Sequence, residues 1–80
     1  MATNRASLSR TDMDLEHIFK YHAPRPDQLP KYETLRAAAK VFAQAIVDNT
    51  PAGADQTAAI RLVREAVMTA NSSVALDGKL

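Results

Sequence analysis

Between Pro30 and Asp48 the residues Tyr32, Leu35, Ala39, Phe42 and Ile46 recur at spacings of 3, 4, 3 and 4, which is the stripe of a helix. Ala38, Val41 and Ala45 form a second stripe beside it, and Glu33, Arg36, Lys40 and Gln44 a polar one. Pro30 suits a first helical position, where its missing N–H costs nothing. The same 3, 4, 3, 4 spacing returns at Ile60, Val63, Val67, Ala70 and Val74, predicting a helix over 55–76 after the break "DNTPAGAD", with "DGKL" fraying off its end. A loop of a few residues makes the two long helices, 30–48 and 55–76, an antiparallel αα-hairpin.

Ahead of the hairpin the pattern predicts a short helix over 9–20. Ser9 or Thr11 is its cap, Asp12, Asp14 and Glu16 lie in its first turns, and Leu15, Ile18 and Phe19 form a small apolar face. Pro24 and Pro26 bias Ala23 and Arg25 toward extended backbone. Residues 21–29 are therefore expected as a stiff, non-helical strap, and residues 1–8 as disordered. The fold class is all-α, a single helical-hairpin domain over residues 1–80.

Both long helices are apolar on more than one face: Ala37, Ala38, Val41 and Ala45 on one, Ala59, Leu62 and Ala66 on the other. One partner helix cannot cover all of that, and an 80-residue chain has little core to spare. Self-association follows as an expectation. The alternative is a monomer closed by the first helix and strap folding back on the hairpin.

Composition narrows the function classes. There is no cysteine, hence no disulfide framework or thiolate metal site. Ten basic and nine acidic residues leave a net charge of +1, too little excess for a general binder of duplex nucleic acid. No run of 18 apolar residues marks a membrane span. The N-terminal "MATNRASLSRTDMD" has no apolar core of a secretory signal, and a cytoplasmic protein is expected.

His17 and His22 stand five apart without the carboxylates of a metal site, and no nucleophile motif frames the serines and threonines. No enzyme, metal or cofactor is expected. A binding role fits better. Two of the four aromatic residues, Phe19 and Tyr21, sit with His22 and Arg25 in or beside the strap, ahead of a helix carrying Arg36 and Lys40 at i and i+4. Flat rings and guanidinium groups are what nucleobases stack on, and cations are what phosphates need. Phe19 as a packing residue and Arg36 with Lys40 as a solvated face weakly paired to Glu33 are the structural readings of the same positions. In "TANSSVA", Thr69, Asn71, Ser72 and Ser73 put polar groups on an apolar helix. They suit either close helix approach or a polar ring around a symmetry axis.

An ordered set carries a family resemblance: Phe19, Tyr21, His22, Pro24, Asp27, Gln28, Tyr32, Glu33, Leu35, Arg36 and Ala39, then Arg64, Glu65, Ala66, Val67, Ala70 and Asn71. From about residue 9 to 75 the chain resembles the phage anti-CBASS cyclic-nucleotide sponges, whose hairpin is similar to that of the anti-Thoeris sponge. It departs from their pattern at Ala23, where they often carry proline, and after Asn71, where Ser72, Ser73, Val74, Ala75 and Leu76 lack their basic residue.

The resemblance implies a compact homohexamer in the cytoplasm of an infected bacterial host. It implies sequestration of cyclic oligonucleotide signals, not their breakdown. For cyclic dinucleotides it implies Tyr21 stacked on a base and Arg36 on a phosphate, with Phe19, His22, Arg25 and Lys40 as further candidates. For cyclic trinucleotides, which some members hold in pockets on the three-fold axis, it points to Asn71, Ser72 and Ser73. A small oligomeric helical adaptor or structural protein binding a partner protein is the alternative.

Overall fold

The computed structural model describes residues 14–79, which form three helices: α1 (Leu15–Phe19), α2 (Leu29–Asn49) and α3 (Ala54–Ala75). The expected all-α class and the long antiparallel hairpin are present. The disorder expected for residues 1–8 and the caps expected at Ser9 and Thr11 lie outside the described residues. Among those described, Asp14 is the cap of α1: its carboxylate accepts the backbone N–H of His17 at 3.2 Å. Asp14 therefore stands before the first turn rather than in it, because a short Asx side chain bonds best to the N–H three residues on. Helix α1 stops at Phe19, since Lys20 is already extended.

Helix α2 begins on Gln28, whose carbonyl accepts the N–H groups of Lys31 and Tyr32. At its far end Thr50 Oγ1 donates to the Ile46 carbonyl, and Asn49 to that of Ala45. Gln56, in the first turn of α3, donates its amide to the Thr50 carbonyl and hydroxyl, both at 3.0 Å, and so ties the loop back to the start of the second long helix.

Of the C-terminal "DGKL", expected to fray, Asp77, Gly78 and Lys79 are described and close on the end of α3. Asp77 at φ 54 and Gly78 at φ 72 turn the chain left-handed. The Asp77 N–H then bonds to the Val74 carbonyl and the Gly78 N–H to that of Ser73. This is the Schellman closure, which satisfies carbonyls that the helix itself leaves open. Aspartate tolerates the left-handed position because its short polar side chain avoids most of the clash a bulkier residue would meet.

Helices α2 and α3 pack only on each other, and α1 packs on neither. Of the alternative in which the first helix and strap fold back on the hairpin, the described residues show the strap bonded to the end of α3 but the first helix packed on neither long helix. The seam is made by Tyr32, Leu35, Ala39, Ala43 and Ile46 against Ile60, Val63, Val67, Ala70 and Val74, all half-buried. Phe42, expected in that stripe, lies beside it and is 60 % exposed. At about 100° per residue, Phe42 falls toward one edge of the seam and Ala43 takes the facing position.

The molecule measures 55 × 32 × 15 Å, with a radius of gyration of 17.4 Å. A compact chain of this length would have about 12 Å. A thickness of 15 Å is one helix with its side chains, so the hairpin is a slab with two faces and no interior. Only Leu76 and Gln28 are buried among the described residues.

Candidate ligand-binding site

The strap is fastened at both ends. On its N-terminal side His22 Nε2 lies 2.6 Å from the His17 carbonyl. A carbonyl only accepts, so this nitrogen carries the proton, and the ring satisfies one of the open carbonyls of α1. The His17 and His22 rings meet edge to face at 4.7 Å. On its C-terminal side the turn Pro26–Gln28 sits against the end of α3. Gln28, 3 % exposed, donates its amide to the Val74 carbonyl at 3.0 Å and accepts the Arg25 backbone N–H at 2.9 Å. Arg25 closes the joint by giving two nitrogens to the two carboxylate oxygens of Asp77, each at 3.2 Å, and a third to Asp27. The hydrogen bonds and positive charge of the Arg25 guanidinium hold the Asp77 and Asp27 carboxyls below the ordinary carboxylate range, and the same bonds with the two carboxylate charges push the guanidinium up.

Just ahead of the His22 fastening, Tyr21 projects with 82 % of its surface exposed, and Phe19, at the end of α1, with 81 %. Neither ring is a packing residue of the isolated chain. Leu15 and Leu29 add exposed apolar surface on either side in the sequence, at 61 % and 51 %. Within the strap, Pro24 fixes its own φ and, with Pro26, restricts the residues before each.

Arg36 and Lys40 lie on α2, both exposed. The ion pair considered for Glu33 does not form, and no carboxylate among the described residues comes within 4.0 Å of either cation. Arg36 stands seven residues beyond Leu29, about 10 Å along the axis, in the strap-side half of α2.

The two faces of the slab differ. One is an apolar groove of about 690 Å³ between the helices, in which Ala38, Phe42 and Ile46 of α2 meet Ala59, Leu62 and Ala66 of α3. On the helical wheel Arg36 and Lys40 fall on the other face. So do Arg61 and Arg64, which with Gln56, Thr57 and Ile60 line a shallow groove of about 320 Å³. Arg61 and Arg64 were not among the residues singled out as a site from the sequence. Their i, i+3 spacing on α3 is the signal that was there.

Asn71, Ser72 and Ser73 are brought together less well. They are consecutive in α3 and so about 100° apart around it. Asn71 is half-buried, and its side-chain oxygen has no hydrogen-bond partner among the described residues; Ser72 and Ser73 are exposed. A single chain does not aim the three at one point.

Among the described residues no group of three or more His, Cys, Asp and Glu could hold a metal ion, and no helix is long and apolar enough to cross a membrane. No curated protein and no solved structure matches the chain. The family of the Acb2/Tad1 hairpin domain does match, over residues 11–75, from before α1 to the last residue of α3. With most of its length in that match, strap and both long helices included, the chain belongs to the Acb2/Tad1 hairpin-domain family, the family of the anti-CBASS and anti-Thoeris sponges.

Proposed function

We propose that this chain is a phage anti-defence protein that binds cyclic oligonucleotide immune signals and holds them without degrading them. The observation that carries this reading is the family match over residues 11–75. The geometry supports it. An exposed Tyr21 on a stiff strap and a free Arg36 in the strap-side half of α2 offer a base-stacking ring and a planar phosphate clamp. Cyclic dinucleotides, flat and doubly anionic, are the ligand class such a pair suits. Phe19, His22, Arg25 and Lys40 are the supporting set, and Asn71, Ser72 and Ser73 the candidate positions for a cyclic trinucleotide. Those three positions need several copies to converge.

The working unit is a homo-oligomer in the host cytoplasm, six copies by the family resemblance. A slab 15 Å thick with Phe42, Leu62, Val41 and Met68 all more than half exposed has its apolar surface on the outside. Burying one such large side chain is worth about 1.5–3 kcal/mol. The groove between α2 and α3 is the face that other copies would cover.

The test is thermal melting of the protein with and without a panel of cyclic dinucleotides and trinucleotides. A ligand present at a thousandfold excess over its dissociation constant stabilises by about 4 kcal/mol. No shift with any member would overturn the sponge reading and leave the helical adaptor in its place. Ligand recovered intact after heat denaturation is the expected result for sequestration; a linear product would show turnover.

A further inference from the structure

We propose that Gln28 and the Arg25–Asp77 fork are positioning residues that set ligand affinity by holding the strap, and with it Tyr21, against the end of α3. This rests on the sponge reading given above and deepens it.

The joint is assembled from two parts distant in sequence, residues 25–28 and 74–77. Gln28 is the only buried polar residue among those described, and both ends of its amide are used. Its carbonyl starts α2 through Lys31 and Tyr32. Its Nε2 reaches the Val74 carbonyl, which also accepts the N–H of Asp77. The residue that begins one long helix is thereby bonded to the cap that ends the other.

Asp77 is placed for the fork by the left-handed turn that closes α3. A continued helix would carry its carboxylate away around the axis. Arg25 is placed by its own N–H on Gln28 and by Pro26 behind it, which keeps it extended. The guanidinium then meets both carboxylate oxygens at once, a geometry lysine cannot copy.

From Arg25 to Tyr21 there are three intervening residues, His22, Ala23 and Pro24, and among backbone groups none of them is hydrogen-bonded to another part of the described chain. Pro24, together with the bond from the His22 ring to the His17 carbonyl, carries the position of the joint to the ring. A ring held in place before the ligand arrives loses less freedom on binding. Releasing the fork should therefore weaken binding although neither Gln28 nor Asp77 touches the ligand.

The variants are Asp77→Asn and Gln28→Ala in the full-length protein. Asparagine tolerates the left-handed turn as aspartate does, so the helix cap survives while the charged fork is lost. Two readouts are taken. Amide exchange followed by NMR reports the joint without ligand. The Arg25 amide should exchange at least tenfold faster in both variants, while mid-helix amides such as those of Ala39 and Val63 stay as in the parent. Calorimetric titration with 3′,3′-cyclic diguanylate and 3′,3′-cyclic GMP–AMP reports function, with light scattering as the control for assembly. At least tenfold weaker binding with an unchanged number of sites and unchanged assembly is expected. Parent-like affinity in both variants, or parent-like exchange at Arg25, overturns the proposal. If the parent protein itself binds neither probe, the cyclic-dinucleotide assignment is what fails, and the exchange rates still judge the joint.

Discussion

Arg25 and Asp77 stand 52 residues apart in the chain and meet through two parallel hydrogen bonds of 3.2 Å. This fork, with the Gln28 amide beside it, ties the strap to the end of α3. It also makes that joint sensitive to acid.

The Asp77 carboxyl is held below its ordinary range chiefly by the hydrogen bonds from Arg25, with Lys79 and Lys31 adding positive potential. Asp27 is lowered by the same guanidinium, again with Lys31 nearby. Their folded-state values lie below the unfolded ones, so this stability is fully present above the unfolded carboxylate range, about pH 4. It is lost as the pH falls through the folded values below that. Melting curves of the parent and Asp77→Asn should differ by a constant amount from neutral pH down to about 5 and converge on further acidification. A gap that persists in acid would mean that Asp77 acts by something other than its charge.

Tyr21→Ala and Arg36→Ala should each weaken cyclic dinucleotide binding at least tenfold. Stacking on one base is worth about 1–3 kcal/mol, and a charge-assisted phosphate contact about 1.5–3 kcal/mol. Neither change should lower the melting temperature of the free protein appreciably, because Tyr21 is 82 % exposed and Arg36 has no carboxylate partner among the described residues. Calorimetry and melting of the two variants check both halves of the statement. A Tyr21→Ala protein that loses assembly instead would make the ring an interface residue.

Phe42→Asp should break the assembly. Phe42 lines the apolar groove and is 60 % exposed in the single chain. Oligomerisation would remove the ring from water, and a carboxylate there would be stranded without a partner. Light scattering should fall from a multiple of 8.7 kDa toward that value. A variant that keeps the parent mass would place the interface elsewhere.

Conversely, Gln44→Ala should change little. Gln44 is exposed, and among the described residues its side chain bonds only to Asp48, four residues on along the same helix. Such an exposed pair contributes about 0.5 kcal/mol or less. A shift of several degrees in melting temperature would show that this part of α2 is covered in the assembly.

Much of this architecture was legible in the sequence. The 3, 4, 3, 4 spacing of Ile60, Val63, Val67, Ala70 and Val74 marks a buried edge because helical geometry alone returns those side chains to one line. Pro51 and Gly53 mark the break for equally local reasons. The prolines foretold a non-helical strap. Tertiary structure decided the rest, because it depends on groups that meet only after folding. Which of Phe42 and Ala43 faces the partner helix is settled by the phase at which α2 packs on α3. The closure of α3 at Asp77 and Gly78, where fraying was expected, gains from Gln28 and Arg25, residues about fifty positions away that local pattern cannot see. Arg25 looked like a free cation in the sequence and is engaged in the fold. The sequence determined where helices run and where the chain stiffens, through local sterics and periodicity. Only the folded chain decided what the strap is tied to, through hydrogen bonds from Arg25 and the residue that starts α2 to the cap that ends α3.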